Sequence, residues 1–248
     1  MPRVNNTTRR AGPFMREDID ITAGRYRVLE VLRVQEGARG AGAKGAGVLG
    51  VRAVCALLLV LAAGCSSKPP LSYPEQIAAW HAEKDQFMRQ SSESPIPADQ
   101  RAGFAPLPYF AVDPTYRVPA SLQVAAAGPV IEMPTSTGQR RKMRRVGTLA
   151  FSVKGQPLSL GAFVEADDNT MRRLFVPFGD LTNGMESYSG GRYLDLERTA
   201  SGVYDLDFNR AYHPFCLFNP TYDCPYPPPE SRLKVPIRAG ERLAAPRR

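Results

Sequence analysis

The densest group of chemically competent side chains lies between residues 211 and 230, AYHPFCLFNPTYDCPYPPPE. This stretch holds two cysteines, one of the two histidines of the chain, two acids and a run of prolines. Thiolates and imidazoles bind zinc, and a thiolate beside an imidazole can act as a nucleophile. Two thiols can also join as a disulfide. The residue types therefore allow a metal site, a catalytic thiol or a covalently closed loop.

A metal site here would use His213, Cys216 and Cys224, with Asp223 or Glu230 as a further ligand. Structural zinc favours closely spaced pairs such as Cys-x2-Cys, whereas seven residues separate these two cysteines. A thiol nucleophile needs a base within hydrogen-bond reach, and His213 lies three residues before Cys216. The spacing favours neither, so we predict no bound metal and no cofactor, and keep a metal-binding module at Cys216 and Cys224 as an alternative.

Another group of polar side chains lies in strand-like motifs between residues 175 and 210. Paired carboxylates can perform acid–base chemistry, so Asp180, Glu186 and Asp207, together with Arg192, allow a hydrolase-like enzyme. Neighbouring glycines are more typical of turns in which side chains cap the backbone. Polar groups of two motifs would meet if neighbouring strands pair, which predicts a ligand-binding pocket. The predicted ligand-binding residues are Asp180, Arg192, Tyr193, Asp207 and Asn209.

Residues 51–67, VRAVCALLLVLAAGCSS, have the pattern of an export signal. Arg52 precedes eleven uncharged, mostly apolar residues. This run is shorter than the roughly 20 residues of a membrane-spanning helix, but it is typical of a signal peptide. It ends in LAAGC, which resembles the bacterial lipobox, and that resemblance makes Cys65 the lipidated residue. An ordinary secretory signal is the alternative.

Signal peptides begin close to their apolar segment, whereas about fifty residues precede this one. We therefore interpret residues 1–47 as an over-extended gene start or a disordered segment. Residues 48–64 are then a lipoprotein signal peptide, 65–71 a lipidated tether and 72–248 a single domain. These assignments predict a cell-envelope protein that is held to the membrane by its lipid and faces the periplasm or the exterior.

The cysteine count favours a disulfide if the chain is exported. Removal of Cys55 with the signal peptide and lipidation of Cys65 leave two cysteines in an oxidising compartment. A bond between Cys216 and Cys224 would add roughly 2–3 kcal/mol of stability in the chain-entropy model. The prolines around them would stiffen the same loop.

Charge and motifs exclude several function classes. The formal net charge is +8, but residues 1–64 carry ten Lys and Arg against five acids, and the remainder has 22 against 19. A nucleic-acid-binding protein needs a basic face, and the candidate segment is QRRKMRR at 139–145. We therefore predict no nucleic-acid partner. The chain has no Walker loop, GxGxxG, HExxH or GxSxG motif.

The elements that would position these residues are one helix and a set of strands. Residues 72–90 predict an amphipathic helix, because Ser72 and Glu75 form a capping-box pattern and apolar residues recur on one face. From about residue 104, strand-like segments alternate with turn signals. We count eight of them, the last being RLKVPIRA at 232–239. This pattern predicts a mainly β domain, a single antiparallel barrel or sandwich preceded by one α-helix.

Several motifs carry a family resemblance. FAPLPYFAVDPTYRV, MPTSTGQRRKMRRVGTLAF, LFVPFGDLTNGMESYSGGRYLDL and the segment from YDLDFNRAYHPF to IRAGER resemble domain of unknown function 1684, over residues 72–243. The resemblance implies no established activity, cofactor or catalytic residue. The chain departs from the family pattern at His213 and Ser231, where asparagine is usual, and this weakens any mechanism that depends on His213.

Together these observations predict an exported lipoprotein that binds a small ligand or an envelope protein. The alternatives are the hydrolase-like enzyme and the metal-binding module. The loop at 211–230 is expected to line the binding end of the domain.

Overall fold

The computed structural model describes residues 69–126 and 128–244, and the elements below are those of this part of the chain. One α-helix, α1 (Tyr73–Gln90), precedes the sheet. The seven strands are β1 (Arg117–Val124), β2 (Val130–Pro134), β3 (Arg140–Val153), β4 (Gln156–Glu165), β5 (Arg173–Phe178), β6 (Arg192–Glu197) and β7 (Val203–Asp207).

The strands form one antiparallel sheet that curls into a nearly closed barrel, which confirms the predicted fold class. The strand order is β6-β5-β4-β3-β1-β7, and β2 also pairs with β3. The chain that leaves β7 returns to the other edge, where Tyr212 exchanges two backbone hydrogen bonds of 2.9 and 3.0 Å with Tyr193 of β6. This bridge joins the two ends of the sheet.

The main core fills the inside of the barrel. It consists of alternate apolar side chains from the strands, because successive residues of a strand point to opposite faces. Typical members are Leu149, Leu160, Val176, Leu194 and Leu206, all of them buried. The opposite face of the sheet is also partly apolar, with Met143, Phe163 and Phe175 among its residues. That outer face therefore needs a cover as well.

Strand β3 is longer than the sequence predicted, because it begins within the basic run at 139–145. Its first half pairs with β2 and its second half with β1, and the register shifts between Arg145 and Gly147. At Gly147 the backbone of Gln123 comes so close that a Cβ atom would overlap the carbonyl group. The absence of a side chain therefore permits the close approach of β1 beside this bulge.

Helix α1 packs through the predicted face, with Ile77, Trp80, Lys84 and Met88 buried. The Glu75 carboxylate accepts hydrogen bonds from the N–H (2.7 Å) and the hydroxyl (2.6 Å) of Ser72 at its start. Lys84 lies on the same face, and it is as buried as the apolar side chains around it. The helix thus brings a cation into the interior.

The eighth predicted strand, 232–239, is wrong, because the structure has an irregular segment there with one bridge between Gly179 and Arg232. It shares two backbone hydrogen bonds with residues 179 and 181, and side chains bind other backbone groups of the segment. Arg192 donates to the carbonyls of Ile237 (2.6 Å) and Ala239 (2.5 Å), and Asp180 accepts from the N–H of Ile237 (3.2 Å). An apolar pattern predicts burial of a segment, but it does not show which groups satisfy the backbone.

The predicted lipobox, Cys65, the signal peptide at 48–64 and the segment 1–47 lie outside the described residues, and these assignments stay predictions. No helix within residues 69–126 and 128–244 combines the length and the apolar character required to cross a membrane.

Replacement of Gly147 with alanine should destabilise the barrel, because the new Cβ would push β1 away from β3. Overpacking of this kind lowers the free energy of unfolding by about 1–3 kcal/mol. Chemical denaturation of the full chain measures the change. Gly103→Ala is the matched control, since nothing lies within 4 Å of the added atom there. Equal stability of the two variants would contradict the proposed close approach.

Candidate functional site

The loop at 211–230 crosses the outer face of the sheet. It starts at the Tyr212–Tyr193 bridge on β6 and reaches the β2–β3 hairpin, where Tyr226 N–H donates to the carbonyl of Pro134 (2.8 Å). Ser136 in the hairpin turn donates its N–H to the carbonyl of Cys224 (2.9 Å) and accepts the Cys224 N–H at its hydroxyl (3.1 Å). The loop is therefore fixed at both sides of the sheet.

A cavity of about 180 Å³ lies between this loop and the outer face of strands β3 to β6. Its apolar wall combines side chains of the sheet with side chains of the loop: Met143, Phe175, Tyr193, Pro214, Phe215 and Pro225. Tyr193 is held in place because its hydroxyl donates to the carbonyl of Pro225 (2.6 Å). Charged side chains also line the cavity: Arg141, Glu165, Asp168, Arg173 and Asp195. An apolar pocket with a few converging polar groups is typical of a small-molecule site.

Asp195 is a cavity carboxylate whose pKa is raised. Burial raises its pKa, whereas the hydrogen bond from Tyr212 and the charges of Arg173 and Lys84 oppose this shift. The Tyr212 hydroxyl donates to the carboxylate at 2.7 Å. Burial and the neighbouring carboxylate raise the pKa of Tyr212 well above its usual value, so the phenol keeps its proton. Asp195 can therefore accept a hydrogen bond or exchange a proton.

The two arginines of the cavity already have acidic partners. Arg141 contacts Asp223 at 3.2 Å and Glu165 at 3.5 Å. Arg173 contacts Glu197 on the neighbouring strand at 2.9 Å. Their charges are compensated, so the arginines do not by themselves make the cavity an anion site.

The structure divides the five predicted ligand-binding residues among three places. Asp180 and Arg192 form one buried pair, with 2.8 Å between the carboxylate oxygen and a guanidinium nitrogen. Both side chains bind the segment 232–239, as described above. Arg192 also lies above the rings of Phe110 and Phe178. This pair fixes the segment 232–239, and neither side chain lines the cavity.

Asp207 and Asn209 lie in a second place, where they connect the helix to the barrel. The Tyr73 hydroxyl donates to Asp207 (2.9 Å) and accepts from the Asn209 amide (2.8 Å). Asn209 also accepts the N–H of Asp113 (3.0 Å). Burial and the Asp207 carboxylate raise the pKa of Tyr73. Of the five predicted residues, Tyr193 is the one that lines the cavity.

The acids of the hydrolase alternative are equally dispersed. Glu186 is on the surface, where it pairs with Arg238 at 2.9 Å, while Asp180 and Asp207 form the buried contacts just described. The geometry therefore offers these three carboxylates no common cavity. Asp195 belongs to the same sequence motif. The sequence does not show that the loop covers this residue or that burial raises its pKa.

His213 belongs to a buried charge cluster with Lys84 and Glu241. The Glu241 carboxylate forms an ion pair with Lys84 and accepts the backbone N–H of His213 (2.7 Å). The His213 Nε2 accepts from the N–H of Tyr188 (3.2 Å), and Nδ1 lies 3.4 Å from Glu241. Burial and the charges of Arg192 and Lys84 hold the pKa of His213 well below its usual value. The imidazole is therefore neutral, and its two ring nitrogens face Tyr188 and Glu241.

Cys216 and Cys224 are free thiols in the structure, so the predicted disulfide is not shown. They are adjacent: the Cys216 N–H donates to the Cys224 Sγ at 3.2 Å. No three His, Cys, Asp or Glu side chains within the described residues are arranged to hold a metal ion.

Sequence reasoning missed Lys84 and Glu241 as partners, and Asp195 and Tyr212 as a pair. A lysine within an apolar helical stripe was the available signal for the first, because buried lysine requires an anion. The second pair had no local signal, since the two residues are 17 positions apart in the sequence. Their contact depends on closure of the barrel.

The chain resembles known proteins in both sequence and structure. A family model described as a protein of unknown function (DUF1684) matches residues 102–242. Among solved structures, the chain is similar to an uncharacterised protein of Haloarcula marismortui, determined by solution NMR. The two share 40% identity and a TM-score of 0.55, over 68% of this chain and 93% of that chain. No curated protein matches.

Replacement of Lys84 with methionine should destabilise the protein strongly, because the Glu241 carboxylate would stay buried without its cation. Removal of one partner of a buried pair lowers the free energy of unfolding by about 3–5 kcal/mol. Urea denaturation measures the change in the free energy of unfolding. Arg238→Met breaks an exposed ion pair and should change stability little. A Lys84→Met variant as stable as Arg238→Met would contradict the importance of the cluster.

Proposed function

This chain belongs to the DUF1684 family, whose function is unknown, and we propose that it binds a small ring-shaped ligand in the cavity beneath the loop at 211–230. The carrying observation is the cavity itself, in which aromatic walls surround the Asp195 carboxylate. A cavity of about 150 Å³ accommodates benzene, so about 180 Å³ fits a single ring with a small substituent.

The charges of the cavity favour a ligand that donates hydrogen bonds. Arg141 and Arg173 are compensated by neighbouring acids, whereas the direct partner of Asp195 is the neutral Tyr212. Aromatic faces such as those of Phe175 and Tyr193 also attract cations. An ammonium or hydroxyl substituent therefore suits the polar end better than a carboxylate.

The proposal retains binding in preference to hydrolysis. The three carboxylates of the hydrolase alternative, Asp180, Glu186 and Asp207, do not line this cavity. The raised pKa of Asp195 does favour a second candidate, acid–base chemistry by this carboxyl on a bound ligand. In both cases a ring compound must first occupy the cavity, so binding is the property to test.

Binding of benzylamine, phenol and benzoate to the full chain, followed by ligand-observed NMR, tests this proposal. We expect benzylamine to bind best, and its affinity to rise with pH, because Asp195 becomes ionised as pH passes its raised pKa while the ammonium keeps its charge. Asp195→Asn should weaken benzylamine about 10- to 100-fold, the value of a hydrogen bond between charged groups.

Glu186→Gln is the matched control, because this exposed carboxylate lies outside the cavity. Asp195→Asn should fold at least as well as wild type at neutral pH, because a carboxyl with a raised pKa loses stability as pH rises through that value. Failure of all three probes to bind, or equal binding by the folded Asp195→Asn variant, would contradict the proposal.

We further propose that the protein is exported and anchored by lipid at Cys65. The support is the segment at 51–67, with its apolar run and the LAAGC sequence that resembles a lipobox. A lipid anchor would hold the ligand-binding domain at the envelope, where it meets exported or imported small molecules.

Metabolic labelling in a bacterial host with a palmitate analogue tests the anchor. Wild type should incorporate the label, and Cys65→Ser should lose it because the acceptor thiol is gone. Cys55→Ser should keep the label, since Cys55 lies in the segment that cleavage removes. Unlabelled wild-type protein, or label that persists in Cys65→Ser, would overturn the assignment.

A further inference from the structure

Cys216 and Cys224 are held together by the loop at 211–230. Cys216 lies in a short 3-10 helix (Phe215–Leu217), and its N–H donates to the Cys224 Sγ at 3.2 Å. Cys224 is fixed by its two backbone bonds to Ser136, so the pair is preorganised.

The two thiols differ in accessibility. Cys224 is 1% exposed and packs among Tyr193, Phe215 and Tyr222. Cys216 is half-buried and therefore reachable from solvent. A solute can therefore contact Cys216, whereas Cys224 contacts only the residues packed around it.

The two thiols also differ in acidity. Hydrogen bonding from Cys224, Ser136 and Tyr188 lowers the pKa of Cys216 to about 7 against the opposing effect of burial. The same hydrogen bond, together with burial, raises the pKa of Cys224. Since the thiolate is the nucleophile, Cys216 is the reactive member at neutral pH.

We propose that Cys216 and Cys224 are a thiol–disulfide exchange site for low-molecular-weight disulfides, in which Cys216 attacks and Cys224 resolves. The proposal goes beyond a permanent structural bond, because it assigns a direction and a co-reactant to the pair. It does not depend on a ligand in the cavity.

The exchange proceeds in two balanced steps. The Cys216 thiolate attacks one sulfur of a disulfide RSSR, an S–S bond forms between Cys216 and RS, and the other RS leaves as a thiolate that takes up the proton released by Cys216. Cys224 then loses its proton and attacks the Cys216 sulfur, which releases the second RS as thiol. Two thiols of the protein are oxidised and one RSSR is reduced to two RSH.

Formation of the mixed disulfide in the first step makes Cys224 easier to ionise in the second. The raised pKa of Cys224 has as its first cause the hydrogen bond with Cys216, and a negative charge on Cys216 adds to it. Formation of the mixed disulfide removes that charge. The nearby guanidinium of Arg141 then favours ionisation of Cys224 without opposition from a neighbouring thiolate.

Incubation of the full chain with glutathione disulfide, followed by peptide mass spectrometry, tests the site. Peptide-level analysis separates this pair from Cys55 and Cys65. In wild type, the peptides containing Cys216 and Cys224 should become covalently joined, two hydrogens lighter and free of glutathione. Cys224→Ser should instead accumulate a glutathione adduct at Cys216, because the resolving thiol is absent.

The reciprocal variant and the pH dependence complete the test. Cys216→Ser should acquire no adduct at the buried Cys224. The rate at which the wild-type protein reduces glutathione disulfide should rise about tenfold per pH unit at acidic pH and level off above neutrality, since the Cys216 thiolate reacts. Circular dichroism confirms that each variant is folded. Cys224→Ala replaces an unfolded Cys224→Ser, and Cys216→Ala replaces an unfolded Cys216→Ser.

Two results would overturn the proposal. One is wild-type protein that keeps both thiols free after incubation. The other is a folded Cys216→Ser variant that reacts at Cys224 as fast as Cys224→Ser reacts at Cys216.

Discussion

The arrangement of this protein depends on one buried ion pair, Lys84 with Glu241. An uncompensated charge in a protein interior costs several kcal/mol, so neither residue can be buried without the other. Lys84 comes from the helix, and Glu241 comes from the segment at the end of the described chain. His213 brings the loop to the same carboxylate through its backbone N–H. Three elements that are distant in sequence therefore meet at one anion.

The cavity follows from that meeting. The outer face of strands β3 to β6 is partly apolar, and the loop at 211–230 covers it. His213 fixes the loop at the buried cluster, and Ser136 fixes it at the hairpin turn. Between these two attachments the loop places Phe215 and Pro225 over the sheet. The space left between them opens onto Asp195, which is why a carboxylate is enclosed there.

The sequence predicted what local pattern determines. Strand-like segments between turn signals predicted strands β1 to β7, with β3 shorter than it is, and the apolar stripe predicted the buried face of α1. It could not reveal that Arg192 and Asp180 bind backbone groups of the segment 232–239, because that contact requires the folded barrel. The predicted ligand-binding residues lie apart for the same reason, because their contacts also depend on the folded barrel. Polar side chains next to each other in adjacent motifs satisfied different partners, and Tyr193 alone faces the cavity.

The thiol pair and the cavity share the same loop, and this connects their chemistry. Phe215 and Pro225 are cavity walls, and each is the direct neighbour in sequence of one cysteine of the pair. A bond between Cys216 and Cys224 would restrict the backbone of both neighbours, whereas free thiols leave them joined only by hydrogen bonds. Tyr193 transmits the same constraint to the sheet through the carbonyl of Pro225. The oxidation state of the loop would therefore act on the side of the cavity that faces Asp195.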